Sequence, residues 1–431
     1  MASQDFDPGL RDHAERILAL MKQKGFDEAQ VSVGLRRLSE LNAAHNEPSL
    51  LRSSEQTRVS LLGLLDGRRA STELSSLDDA AVATSVDELL AAARVAPQDE
   101  ANVVSSGQRA RITQGPLRVD PDSLADKMAE LLAFRERETP SFMLEEAAAS
   151  HDVNAFHTLT TGGSDLSGVA GSLSLSCFGT AREGDRSSSF NAAGGSTHDW
   201  STQPAEAWFG LGDMMRDTTR QVVTQPIGAK FVGDVVFTPQ AVADLLGWLL
   251  GQLGDAQLIA GSSLYRGSVG QAIASPLLSL KSRFEAPGVL PFSADACVAP
   301  PVDVLREGRL LTLLPSLYGS RKTGLAHVPS ANGWEVEPGT TGRAELVAQV
   351  ARGAIVGRLS MGVPAANGDF SGVIKNSFRI DDGVVGSALS EVMISGNVAQ
   401  MLKDVLAVSR ERRDTGDTAL PWLRIGGLHF S

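Results

Sequence analysis

Apolar and polar residues alternate along this chain in two distinct rhythms. In PGLRDHAERILALMKQK (8–24) the apolar positions Leu10, Ala14, Ile17, Leu18 and Met21 fall on one helical face, and Gly25 closes the element. AQVSVGLR (29–36) then alternates with the period of a strand, and TRVSLLGLLDGRRASTELS (57–75) predicts two strands joined by a turn at Asp66-Gly67. A helix follows from about Asp78 to Arg94, with Val82, Val86, Leu89, Leu90 and Ala93 at helical spacing. Residues 95–120 are polar without a sustained period, which predicts a linker or a long surface connection. The same order then recurs: a helix in DPDSLADKMAELLAFRER, with Asp122 or Ser123 as N-cap, precedes three strand-like stretches, SFMLEEAAASH, NAFHTLTTG and VAGSLSLSCFG. A polar loop over 182–199 leads to another helix near 204–222.

From Gly228 the texture changes to short strands and turns, with helices expected only at 239–253, 343–354 and 396–410. Turns at Asn367-Gly368 and Asp382-Gly383 bracket a run of hairpins, and the last helix carries Val398, Met401, Leu402, Val405 and Leu406 on one face. The pattern predicts an α+β protein of three parts. These are an N-terminal α+β domain (1–115), a middle α+β domain (116–225) and a β-rich C-terminal domain (226–431).

Composition narrows the classes of function. The chain has 431 residues, 42% of them hydrophobic, which is ample for real cores. With 39 basic and 51 acidic side chains the formal net charge is −12, a poor match for a nucleic acid or an anionic membrane surface. Cys177 and Cys297 are the sole cysteines, too few for a disulfide framework, and no C-x-x-C pair occurs. The start, MASQDFDPGL, is acidic and lacks the apolar core of a signal peptide, and no run is long enough to span a bilayer, so a cytoplasmic location is expected.

Common catalytic motifs are missing: no P-loop, no G-x-S-x-G elbow and no H-E-x-x-H pair. His151 and His157 lie on one face of an extended segment, and His198 stands beside Asp199 in a polar stretch. None of the three has an acid or nucleophile placed beside it by spacing. One segment is harder to explain by packing alone. ADLLGWLLGQLGD (243–255) holds three glycines and a tryptophan inside an apolar helix, although glycine costs about 1 kcal/mol against alanine there.

A series of motifs bears on that segment. GQAIASPLLSL (270–280), PPVDVLREGRLLTLLPSLYGSRKTGL (300–325) and NGDFSGVIKNSFRIDDGVVGSALSEVMISGN (367–397) occur in order, after an N-terminal run from AERILALMKQKGFDEAQVSV to GRRASTELSSLDDAAV. The order resembles the TldD/PmbA (TldE) family of metallopeptidases over nearly the whole chain. The resemblance implies two kinds of subunit that pair as a heterodimer. One carries an H-E-x-x-x-H zinc motif and the other, the PmbA/TldE type, lacks it. Aligned by eye, the positions of the first histidine, the glutamate and the second histidine are Gly247, Trp248 and Gln252.

None of these three is a zinc ligand of the usual kind or a base. The expectation is therefore a vestigial metal site, with no metal, cofactor or catalytic residue in this chain and zinc in a TldD-like partner. Gly247 and Gly251, one turn apart, are expected to pack closely against a neighbour. Trp334, in the divergent stretch ANGWEVEPG (331–339), is a candidate partner contact. By resemblance the substrates would be unstructured or modified peptides, or natural-product intermediates. Two rival readings are a self-associating peptide-binding protein without a zinc partner, and a hydrolase with relocated chemistry at His151, His157 or His198.

Overall fold

The computed structural model describes residues 9–118, 120–284, 286–330, 332–390 and 392–431. The acidic start at 1–8, Pro8 of the first expected helix included, lies outside the described residues, as do Val119, Glu285, Ala331 and Glu391.

Helix α1 (Leu10–Lys24) buries Leu10, Ala14, Ile17, Leu18 and Met21, and left-handed Gly25 terminates it. The next three strands form a meander. They are β1 (Glu28–Ala44), β2 (Glu47–Leu65) and β3 (Arg68–Leu74), followed by α2 (Asp79–Val95), whose first turn is capped by the Asp78 carboxylate. The β1–β2 turn rests on His45 and Asn46, both at positive φ, and the β2–β3 turn on Asp66-Gly67 as the sequence predicts. After β4 (Arg109–Gln114) come α3 (Pro121–Glu138), β5 (Phe142–Thr160), β6 (Asp165–Glu183) and α4 (Leu211–Thr219).

These strands make one sheet in the order β3-β2-β1-β5-β6-β4. β1 pairs with β5 from Gln30↔Thr160 to Ala44↔Glu146, so the strands of 1–115 and of 116–225 share a single hydrogen-bonded layer. Odd-numbered residues face the core at both ends of β1: Val31, Val33 and Leu35 pack under α1 and α2, and Leu41 and Ala43 pack under α3 and α4. Two helical layers therefore cover opposite ends of one face. The even-numbered face carries Ser32, Gly34, Arg36 and, from β5, Asn154.

Three expectations are corrected here. Residues 109–114 are not connection but β4, parallel to the start of β6. The loop expected over 182–199 contains a strand, Asn191–Thr197, paired with β6. The three strand-like stretches of 141–180 are two continuous strands of 19 residues each.

In the C-terminal part, helix α5 (Pro239–Leu253) has the predicted bounds. The helix expected at 343–354 stops at Ala348 and gives way to strand Arg352–Val356. That expected at 396–410 covers only Val398–Lys403, because Val405–Asp414 is a strand: Val405 and Ala407 are buried while Leu406 between them is exposed, a period of two. The closing strand Thr418–Phe430 is the hub, pairing with Phe231–Phe237, Gly333–Val336, Val392–Asn397 and Val405–Asp414. The whole is an α+β fold rich in sheet.

Gly353 sits opposite Asp234 in the parallel pair of Phe231–Phe237 with Arg352–Val356, and a Cβ there would stand 1.8 Å from the Asp234 carbonyl oxygen. Gly353→Ala should therefore destabilise the protein by about 1–3 kcal/mol, the usual cost of overpacking. Urea denaturation checks this, and an unchanged midpoint would contradict it.

Candidate functional site

The site begins with the two faces of α5. Thr238 precedes a proline at the first helical position, where a missing N–H costs nothing. Val242, Leu245, Leu246, Leu249 and Leu253 enter the C-terminal core. The opposite stripe, Ala243, Asp244, Gly247 and Gly251, is exposed. It forms one wall of a cavity of about 790 Å³, closed on the other side by residues 359–366.

This arrangement corrects the close-packing expectation. A Cβ built on Gly247 or Gly251 meets nothing within 4 Å. The facing segment stands off across the cavity, so within this chain the two glycines bare the helix backbone and pack against no neighbour.

Trp248 and Gln252 also line the cavity but are buried, off the exposed stripe. Five residues turn an α-helix through about 140° from a common direction, so positions 247 and 252 do not point together. Gln252 is buried and fully engaged: its Nε2 donates to the Ala366 carbonyl at 3.3 Å and its Oε1 accepts from the Leu264 N–H at 3.0 Å. It braces two loops against α5. Trp248 is 9% exposed and meets Tyr265 edge-on at 6.2 Å. Neither the indole Nε1 nor the Tyr265 hydroxyl has a hydrogen-bond partner, and burial pushes the hydroxyl up to about 12.

Among the described residues Asp244 is the one formally charged side chain lining the cavity. Among the described residues it makes no hydrogen bond or ion pair. Desolvation by the surrounding wall raises its carboxyl to about 6, against the smaller opposing pull of Arg358. The Arg358 guanidinium lies over the Phe190 ring at 4.2 Å, and its Nε is buried without a partner. Sequence reasoning passed over Asp244, although its spacing to Gly247 and Gly251 places all three on one stripe.

Zinc does not fit this donor set. One lone carboxylate faces the cavity, the Gln252 amide is committed to backbone, and no imidazole or thiolate lines the wall. Among the described residues no group of three or more His, Cys, Asp or Glu could hold a metal ion.

The three histidines are not brought into a catalytic group. His151 Nε2 bonds the Pro116 carbonyl at 2.7 Å. His157 Nε2 bonds Asp165 at 2.8 Å, and Asp165 is also held by Arg11 at 3.3 Å. The Nε2 of His198 is buried without a partner, and burial lowers its basicity. Trp334 is on a strand, not a free loop: Gly333–Val336 lies between Leu280–Arg283 and the closing strand, with the ring half-buried against the core.

Further depressions continue from the α5 cavity. Ala243 also lines a hollow with Gly194 and Thr415, and those two line a third with Gly288. Gly288 in turn borders a cavity of about 820 Å³ on the even-numbered face of the N-terminal sheet, walled by Ser32, Arg36, Arg58 and Asn154. Successive depressions thus share lining residues between that sheet and the C-terminal part.

Two outcomes follow for the helix. Gly247→Ala and Gly251→Ala should each stabilise the isolated chain by up to about 1 kcal/mol, since the new methyl meets open space and helix propensity improves; a lowered melting temperature would contradict this. Asp244 should titrate near 6 by carboxyl NMR. Its folded form holds the proton more tightly than the unfolded chain, so its contribution to stability falls as pH rises from about 4 to 6. Asp244→Asn should flatten that slope in denaturation measured across the same window.

Comparison with known proteins places this geometry. Residues 231–431 match the PmbA/TldA metallopeptidase C-terminal domain. The chain is 24% identical to Metalloprotease PmbA of Escherichia coli O157:H7 over 208 residues, covering 45% of each. It is 28% identical to a Metalloprotease PmbA homolog of Haemophilus influenzae over 194 residues, 40% of this chain and 42% of that protein. These matches thus span less than half the length of the curated relatives. In fold the likeness is complete: the structure of TldE from Thermococcus kodakarensis superposes with a TM-score of 0.81 at 19% identity, covering 97% of this chain and 100% of that one. The family likeness is thus carried by the C-terminal part: residues 231–431 match the metallopeptidase C-terminal domain, and the chain as a whole shares the fold of TldE.

Proposed function

We propose that this chain is a non-catalytic, TldE/PmbA-type subunit of a heterodimeric zinc peptidase, acting on unstructured or modified peptides or natural-product intermediates. The single observation that carries the reading is the cavity wall of α5 within a metallopeptidase-family domain: Gly247, Trp248 and Gln252 offer no zinc ligand or general base. The partner, a TldD-like chain with an H-E-x-x-x-H motif, would supply the metal and the base. This chain would complete the enclosure. The sheet-face cavity supports a peptide substrate, because an extended chain lying in it would find hydrogen-bonding groups on Ser32, Arg36, Arg58 and Asn154. The acidic composition and the two isolated cysteines suit work in the cytoplasm.

The purified chain alone should cleave no peptide and hold no stoichiometric zinc. Co-expression with a TldD-like chain should give a complex that cleaves unstructured peptides. Replacing the partner's motif glutamate by glutamine should abolish cleavage while leaving the complex intact. Chelator-insensitive cleavage by the chain alone would overturn the assignment in favour of relocated chemistry.

A further inference from the structure

The α5 cavity has the features of a binding site with one missing component. Its volume, about 790 Å³, lies within the range of ligand pockets. Among the described residues its only charged lining side chain, Asp244, has no hydrogen-bond or ion-pair partner, and Arg358, the cation that acts on it, lies over the Phe190 ring outside ion-pair distance. Trp248, nine-tenths buried, contributes an indole to the same wall and leaves its Nε1–H without an acceptor. An unpartnered carboxylate in a cavity wall receives an ammonium or guanidinium group through charge, and the indole N–H beside it is free to donate to a main-chain carbonyl.

The glycines add a geometric requirement. Exposed helix positions accept large polar side chains at no cost, yet here two successive turns carry none. A bare stripe of this kind admits the close approach of another backbone. The occupant thus combines an extended main chain with a positive charge.

We propose that this cavity binds an extended peptide segment bearing a cationic group, its backbone against Gly247 and Gly251 and its cation on Asp244. The cation is a lysine or arginine side chain or a free amino terminus. The inference rests on the reading that this chain handles peptides, and it assigns the non-catalytic subunit a share in choosing them. It favours peptide over a partner subunit because the space is a concave pocket with a single charged lining residue, walled on its far side by residues 359–364 and 366.

The test uses the purified full-length chain, without partner or zinc, in calorimetric titrations. The probes are blocked pentapeptides of alanine and leucine with lysine, norleucine or glutamate at the centre, and the norleucine peptide with a free amino terminus. At least one cationic peptide should bind saturably, about tenfold or more tighter than the blocked norleucine peptide. The lysine and free-amino probes together identify which cation is read. Asp244→Asn should remove that preference. Gly247→Leu should abolish binding without lowering the melting temperature, because the new side chain fills the cavity of a helix it otherwise favours. No saturable binding of any probe, or binding indifferent to both substitutions, would overturn the proposal. So would a Gly247→Leu chain that binds peptide normally but no longer pairs with a TldD-like chain, which would make the stripe a subunit contact. A complex without peptidase activity bears on the proposed function alone, since the titrations need neither zinc nor partner.

Discussion

The site depends on the burial of one face of α5. Five aliphatic side chains of this helix, Val242 and four leucines, enter the C-terminal core, each contributing about 1.5–3 kcal/mol relative to exposure. That burial fixes the helix rotation, and rotation alone decides that Ala243, Asp244, Gly247 and Gly251 face the cavity. The Gln252 amide locks the same rotation by bonding loops on two sides. Gln252 thereby serves as a structural tie between α5 and two loops. The chemistry of this wall is what remains once the leucines have chosen their side.

Much of the fold was legible because burial was one-sided. Helix α1 and α5 could be read to their ends, and so could the Asp66-Gly67 hairpin, since each alternates between core and water with its own period. The distal halves of β1 and β2 could not. Residues 47–58 are almost entirely exposed, and a ribbon wetted on both faces leaves no apolar rhythm. The two shortened helices failed for a different reason. In 396–410 the apolar residues also fit a helical wheel, and only pairing with the closing strand settles the tail as β.

The candidate site was legible in place and opaque in character. Sequence order located α5 and the glycines, but not whether they met a neighbour or empty space, because that depends on where residues 359–366 run. Asp244 looked like an ordinary charge at the start of an apolar segment. Its significance comes from the absence of a partner around it, a property of three-dimensional surroundings. Trp334 illustrates the converse, since a divergent loop-like sequence proved to be a strand between two others.

The two halves of the molecule are clasped at opposite ends of the N-terminal sheet. Near the β2–β3 turn, Asp99 takes a hydrogen bond from Tyr318 at 2.8 Å and an ion pair from Lys322 at 2.9 Å; with the Ala101 N–H as the largest influence, its carboxyl is held down to about 2. Under the other helical layer, Asp213 pairs with Arg343 at 3.2 Å, and Arg343 and Arg413 both lie over Trp422. The halves are thus tied at both ends of the sheet. Widening the depressions between the halves therefore requires one of the two clasps to break.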